Sequence, residues 1–132
     1  MYLSRNTIYR IEIVLVVGSI VTLFAGLFLL FAPGSALEII GPGLEEMFFV
    51  RFAGLLVAVL GGAYTLALLA REKSREILVL AVFEKVGAAG FFVYGVAVDT
   101  LAVAALWAAA GDLFLGVLFG LYLAGYRTDN WL

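Results

Sequence analysis

The stretch ILVLAVFEKVGAAGFFVYGVAV, residues 77–98, decides the fold of this chain. It is long and apolar enough to cross a bilayer, but it carries Glu84 and Lys85 side by side. A charged side chain in hydrocarbon costs at least a few kcal/mol, so each charge requires a partner on a neighbouring helix. Asp112 is the only other acid deep within an apolar segment. The sequence therefore predicts a buried pair between Lys85 and Asp112.

The composition indicates an integral membrane protein. Hydrophobic residues make up 65% of the 132 residues and charged residues 14%, whereas soluble domains are roughly 25% charged. The length has room for about four helices of ~20 residues. We therefore expect a single all-α domain over residues 1–132, folded as an antiparallel four-helix bundle. Because Cys and His are absent, no catalytic residue, cofactor or metal site is predicted.

Four apolar segments are predicted as membrane spans. Their approximate bounds are residues 11–31, 48–70, 77–98 and 101–123. The link at Asp99-Thr100 is so short that the third and fourth spans should form a hairpin. Each of the four spans is long enough to cross the hydrocarbon core as a helix.

A short interfacial helix is predicted between the first two spans. Ser35 and Glu38 have the S-x-x-E spacing of a capping box, which predicts a new helix over Ser35 to Ile40. Its apolar side chains, Leu37, Ile39 and Ile40, are expected to face lipid.

The Lys and Arg residues predict the orientation. Six of the eight fall on one side of the spans: Arg5, Arg10, Arg71, Lys73, Arg75 and Arg127. Arg51, on the other side, is interpreted as an interfacial anchor that snorkels toward headgroups or toward Glu45 and Glu46. Arg127 and Trp131 place the tail at the interface. By the positive-inside rule, both termini should be cytoplasmic in a multi-pass protein of the bacterial inner membrane.

Small residues four positions apart predict how the spans pack, because helices in lipid approach closely where side chains are small. The fourth span has the longest such row, with an acid at its centre, and the other spans have looser ones. The rows are Ala104, Ala108, Asp112, Gly116, Gly120 and Ala124; Gly54, Ala58, Gly61, Gly62 and Thr65; Gly18, Thr22 and Gly26; and Gly87, Ala88, Gly90 and Gly95.

Polar side chains from all four spans are predicted to form one layer a little below the midplane. At 1.5 Å per residue they lie ~9 to ~16 Å from the cytoplasmic end. They are Ser19, Thr22, Tyr64, Glu84, Lys85 and Asp112. Because Glu84 points ~100° away from Lys85, it should be protonated, bonded to Tyr64, Ser19 or Thr22, or turned toward another subunit.

Four motifs resemble those of small four-helix bacterial membrane proteins grouped around the DoxX-like families. They are APGSALEIIG after the first span, RFAGLLVAVLGG opening the second, EKVGA in the third and GDLFLGVLF in the fourth. The resemblance implies an accessory membrane subunit of quinone-linked or redox-protective assemblies. No known site residue transfers with it.

Two functions from different classes remain open. The first is a non-catalytic accessory or scaffold subunit, surrounded by membrane lipid, that forms a homo-oligomer or joins a larger membrane complex. The alternative is a small oligomeric transporter, channel or lipid- or quinone-binding protein that uses Glu84, Lys85 and Asp112. The basic loop at Arg71 is too small to bind nucleic acid. A lipid-modifying enzyme is the third and least favoured function. Such chemistry would need several acids near the interface, and Glu12 and Asp99 are predicted to stand alone there.

Overall fold

Helices account for the ordered elements of the described chain. The structure, a computed structural model, describes residues 3–39, 41 and 47–125. Its helices are α1 (Arg5–Phe31), α2 (Gly34–Leu37), α3 (Met47–Leu69), α4 (Arg75–Ala97) and α5 (Ala105–Gly125). All except α2 are long and apolar enough to cross a membrane. The predicted all-helical class with four long apolar helices is thereby confirmed, and it is that of a multi-pass membrane protein. The predictions for Ile40, Glu45, Glu46, Arg127 and Trp131 lie outside the described residues.

The connection between α4 and α5 is longer than predicted. The fourth span was expected to begin at Leu101, but α5 begins at Ala105. Asp99 adopts a left-handed conformation with φ 56°, and the amides of Thr100 and Leu101 both donate to the Gly95 carbonyl, at 2.9 and 3.0 Å. The two amides thereby satisfy a carbonyl in the last turn of α4. Left-handed residues commonly allow such a cap after a helix C-terminus.

The capping-box prediction for the short helix is wrong. Helix α2 starts at Gly34, so Ser35 lies within it, and the N-cap residue Pro33 makes no side-chain capping bond. Leu37 was expected to face lipid, yet only 1% of it is exposed, whereas Ile39 is 72% exposed. Leu37 therefore packs inside the protein and does not face lipid.

Two helix pairs make up the packing. Helix α1 packs most extensively against α3, and α4 against α5, while the contacts of α1 with α5 and of α3 with α4 are smaller. We call α1 and α3 the first pair, α4 and α5 the second pair, and the contact between them the inter-pair interface. The two kinds of contact differ in chemistry as well as in extent.

Glycines bring the backbones of the first pair into contact. A Cβ atom at Gly54 would lie 2.7 Å from the Leu30 amide nitrogen and 2.8 Å from the Gly26 carbonyl oxygen. A Cβ at Gly61 would lie 2.8 Å from Leu23 Cα. Only glycine fits at such an approach, so the small-residue rows of the first and second spans lie against each other here.

The second pair uses only the middle of the predicted row of small residues. Asp112 bonds Lys85 and Gly116 packs against α4, but Ala104 and Ala108 are exposed, and the buried positions of α5 are Ala105, Ala109, Gly116, Phe119, Tyr122 and Gly125. A four-residue spacing drifts ~40° per step around a helix, so a long row of this kind cannot keep to one face. On α4, Cβ atoms at Gly87 and Gly90 would meet nothing within 4 Å, and the buried positions include Ala81, Lys85 and Ala89 instead.

Two adjacent glycines provide a matched test of the first pair. Gly61→Ala should lower the free energy of unfolding by about 1 to 3 kcal/mol, because the new methyl group collides with the α1 backbone. Gly62→Ala is the control, since a Cβ there meets nothing within 4 Å. Both are measured by SDS-induced unfolding in mixed micelles. Equal effects of the two changes would contradict the backbone contact.

Candidate functional site: two polar clusters at the inter-pair interface

The structure brings five of the six predicted polar residues together through direct contacts. We call them the central cluster: Thr22 of α1, Tyr64 of α3, Glu84 and Lys85 of α4, and Asp112 of α5. Each long helix contributes at least one member. The sixth residue, Ser19, is buried on α1 but makes none of these contacts.

Lys85 is the hub of the central cluster. Its Nζ lies 2.8 Å from Asp112 Oδ1, 2.9 Å from Thr22 Oγ1 and 3.5 Å from Glu84 Oε2. A lysine ammonium has three N–H donors, and three oxygen atoms surround this one. Only 2% of the residue is exposed. The ammonium is therefore enclosed by oxygen atoms from three helices, with short bonds to Asp112 and Thr22 and a longer contact to Glu84.

Thr22 extends this network into α1. While it accepts from Lys85, its hydroxyl donates to the Gly18 carbonyl of its own helix at 2.9 Å. A hydroxyl can donate once and accept at the same time. Both capacities of Thr22 are used, so Lys85 joins α4 to a fixed group on α1.

Glu84 is held more loosely than Asp112. Its Oε2 lies 3.5 Å from both Tyr64 OH and Lys85 Nζ, at the outer limit of hydrogen-bond distance. Its side chain is 16% exposed and that of Asp112 is 18% exposed, so the two acids differ in their contacts rather than in their exposure. Of the predicted partners for Glu84, the structure places Tyr64 in contact, while Thr22 bonds Lys85 and Ser19 bonds neither. Of the two carboxylates in the central cluster, Glu84 is thus the one less neutralised by its neighbours.

The central cluster has one more acid than base. Asp112 and Glu84 each carry a carboxylate, and Lys85 is the single ammonium between them. With all three groups ionised, the cluster has one surplus negative charge. Such a charge is costly at membrane depth, so one bound cation or proton would neutralise it.

A second polar cluster, missed by the sequence analysis, lies nearer the start of α1. We call it the end cluster: Glu12, Lys73 and Tyr122. Lys73 Nζ lies 3.1 Å from Glu12 Oε1 and also donates to the Leu68 carbonyl, and Tyr122 OH donates to Glu12 Oε2 at 2.9 Å. Lys73 is 7% exposed. The expectation that Glu12 stands alone near the interface is therefore wrong.

One sequence signal pointed to the end cluster. Glu12 precedes Thr22 by ten residues on α1, and Tyr122 follows Asp112 by ten residues on α5. Two helices that meet at Thr22 and Asp112 and run in opposite directions should meet again ~15 Å away, at Glu12 and Tyr122. Lys73 carried no such signal, because loop geometry is not encoded by helical periodicity.

Arg51 bonds a neighbouring helix rather than only the interface. Its Nη1 donates to the Leu29 carbonyl of α1 at 2.9 Å. Carbonyls in the last turn of a helix lack intrahelical partners, and a cation there also complements the helix dipole. Arg51 therefore links α3 to the end of α1, a contact that the anchor interpretation did not include.

Comparison of the chain with family models, curated proteins and solved structures finds no match.

The hub role of Lys85 is tested by a double-mutant cycle. Lys85→Met leaves Asp112 buried without its main partner and should lower the free energy of unfolding by about 3 kcal/mol. Adding Asp112→Asn should recover much of that loss, because the uncompensated charge is removed. SDS-induced unfolding of the wild type, both single variants and the double variant measures the coupling.

Arg75→Met, at an exposed position on the same helix, is the control and should change stability little. If the effect of the double variant is simply the sum of the two single effects, Lys85 and Asp112 are not coupled.

Proposed function

We propose that this chain crosses the bacterial cytoplasmic membrane four times as an antiparallel bundle, with both termini in the cytoplasm. The four long apolar helices support this topology, as does the extensive packing of successive long helices in each pair. Arg5, Arg10, Arg71 and Arg75 are exposed and belong to the chain segments that this topology places in the cytoplasm. Basic residues on that side are typical of inner-membrane proteins.

Within that membrane, the proposed role is that of a non-catalytic accessory or scaffold subunit. The observation that carries this proposal is the pair of short bonds from Lys85 on α4 to Thr22 on α1 and Asp112 on α5. A buried lysine that bonds two neighbouring helices in this way acts as a cross-link between helices rather than as a binding group. The DoxX-like resemblance favours the same class and suggests an assembly linked to quinone or redox chemistry.

The partners proposed for this role are membrane lipid and a second protein surface, from another copy of the chain or a larger membrane complex. Large apolar side chains face outward along the helices, including Phe83, Phe91 and Trp107 at 72%, 72% and 83% exposure. In a bilayer such side chains contact acyl chains or another transmembrane protein. Nucleic acid is not a proposed partner.

A second candidate function is transport of a proton or small cation. The surplus negative charge of the central cluster favours it, because Glu84 lacks a close cationic partner of its own: Lys85 Nζ is 2.8 Å from Asp112 but 3.5 Å from Glu84. Ionisable groups at membrane depth commonly mark ion and proton pathways. Lipid or quinone binding, the other form of this candidate, has no comparable support in the contacts.

One untagged preparation in native lipid discs tests both candidates. Native mass spectrometry should find the 14.2 kDa chain in a discrete complex, either a fixed multiple of its own mass or a constant combination with another subunit. A monomer alone would overturn the accessory role.

The same preparation, moved into proteoliposomes, should show no proton flux under a pH gradient if the protein is a scaffold only. Flux that Glu84→Gln abolishes, while Glu72→Gln at an exposed loop position leaves it intact, would replace the scaffold role by transport. No flux, or flux unchanged in Glu84→Gln, would reject the transport candidate.

A further inference from the structure

The inter-pair interface carries most of the polar side chains that join different helices in the described chain. Lys85 reaches Thr22 across it, and Tyr64 reaches Glu84. At the end cluster, Tyr122 bonds Glu12 across the same interface. The first pair, in contrast, is joined by close backbone packing at its glycines. Polar contacts across the inter-pair interface therefore occur at two levels, the end cluster and the central cluster.

One face of α1 connects the two clusters. Glu12, Ser19 and Thr22 are spaced by seven and three residues, which puts them on the same side of a helix. Glu12 belongs to the end cluster and Thr22 to the central cluster. Ser19 lies between them, ~4.5 Å along the axis from Thr22 and ~10 Å from Glu12.

Ser19 has an unused hydroxyl in this position. Only 1% of the residue is exposed, and Oγ has no hydrogen-bond partner among the described residues. Buried polar groups are nearly always hydrogen-bonded, to protein or to ordered water. A hydroxyl that both donates and accepts is also the kind of group that relays a proton.

We propose that Glu84 is a proton-binding site and that the proton reaches it along the inter-pair interface, from the end cluster past Ser19. The proton leaves water at the end of the bundle that carries Arg71 and Arg75 and forms an O–H bond on a Glu84 carboxylate oxygen. No other bond is broken, and the central cluster changes from one surplus negative charge to neutral. The proposal uses the same site as the transport candidate and rests on its identification of Glu84 as the surplus acid.

The groups around Glu84 favour it over Asp112 as the acceptor. Tyr64 of α3 and Lys85 of α4 contact Glu84 at 3.5 Å, and Asp112 of α5 and Thr22 of α1 reach it through Lys85. Asp112 is held by the ammonium at 2.8 Å. Proton binding on Asp112 would break that pair, whereas proton binding on Glu84 leaves it intact.

An apolar layer separates the end cluster from Ser19. Leu15, Leu68 and Phe119 are all 0% exposed and belong to one buried core. Proton passage therefore requires the two pairs to separate briefly at this level. Next to this layer, the bond of Tyr122 on α5 to Glu12 on α1 holds the pairs together, and Lys73 of the connection between α3 and α4 also bonds Glu12, so these bonds act as the closure of the path.

Infrared spectroscopy of the full chain in lipid discs tests the proposal. After a rapid pH drop, the wild type should gain one C=O stretching band of a protonated carboxyl group. The band should shift in D₂O because the carboxyl proton exchanges for deuterium. Glu84→Gln should lose this band, and Glu84→Asp should keep it at a shifted frequency. Circular dichroism checks that each variant remains helical. A wild type without the band, or a band that persists in Glu84→Gln, would overturn the assignment of the site.

The path is tested by the rate at which the band appears. Ser19→Ala should slow it by about fivefold, because the moving proton can no longer form a hydrogen bond worth about 1 kcal/mol with the Ser19 hydroxyl. Thr65→Ala is the matched control, because the Thr65 hydroxyl already bonds the Gly61 carbonyl of its own helix at 2.8 Å. An unchanged rate in Ser19→Ala, or equal slowing in both variants, would overturn the path.

These outcomes are distinct from failure of the transport candidate. The infrared band reports proton binding without any net flux. A Glu84 band without flux in proteoliposomes would support proton binding at Glu84 and reject transport. Flux without a Glu84 band would support transport and reject proton binding at Glu84.

Discussion

Hydrocarbon offers no partner to a charged side chain, and the described structure depends on that constraint. Lys85 cannot face acyl chains at low cost, so its ammonium is enclosed by oxygen atoms from α1, α4 and α5. Each of those bonds is useful only if the helices are held at one register and one rotation. The ion that is costly to bury thereby specifies how the two helix pairs meet.

The two kinds of interface divide the tasks of the fold. Within the first pair, backbone contact at Gly26, Gly54 and Gly61 gives close packing that leaves little room for rearrangement. Between the pairs the packing is less extensive, and polar contacts replace it in the central and end clusters. The apolar side chains of Leu15, Leu68 and Phe119 also meet at this interface, and contacts between side chains separate more readily than the backbone contacts of the first pair. Any change of shape in this protein is therefore expected between the pairs.

Much of the fold and half of the polar chemistry could be predicted from the sequence. Hydropathy gave the four long helices, since apolar length is a direct requirement of the bilayer, and depth along the helices predicted that Lys85 would meet Asp112. The end cluster escaped prediction because Lys73 sits in a loop, whose path no periodicity describes. The row through Ala104 and Ala108 was wrong because a four-residue spacing rotates off the contact face, and the α2 cap was wrong because Pro33 already begins that turn.

The exposure of individual α4 positions to lipid is the most direct measure of whether Lys85 faces the protein interior in a membrane. The chain has no Cys, so single cysteines carrying spin labels can be placed along α4 without other changes, and collision with oxygen and with a nickel chelate can be compared in lipid discs. The account predicts high oxygen and low nickel collision at Phe83, Gly87 and Phe91, and protection from both at Ala81 and Ala89, which are buried four residues before and after Lys85. High oxygen collision at positions 81 and 89, or nickel collision along the whole helix, would contradict it.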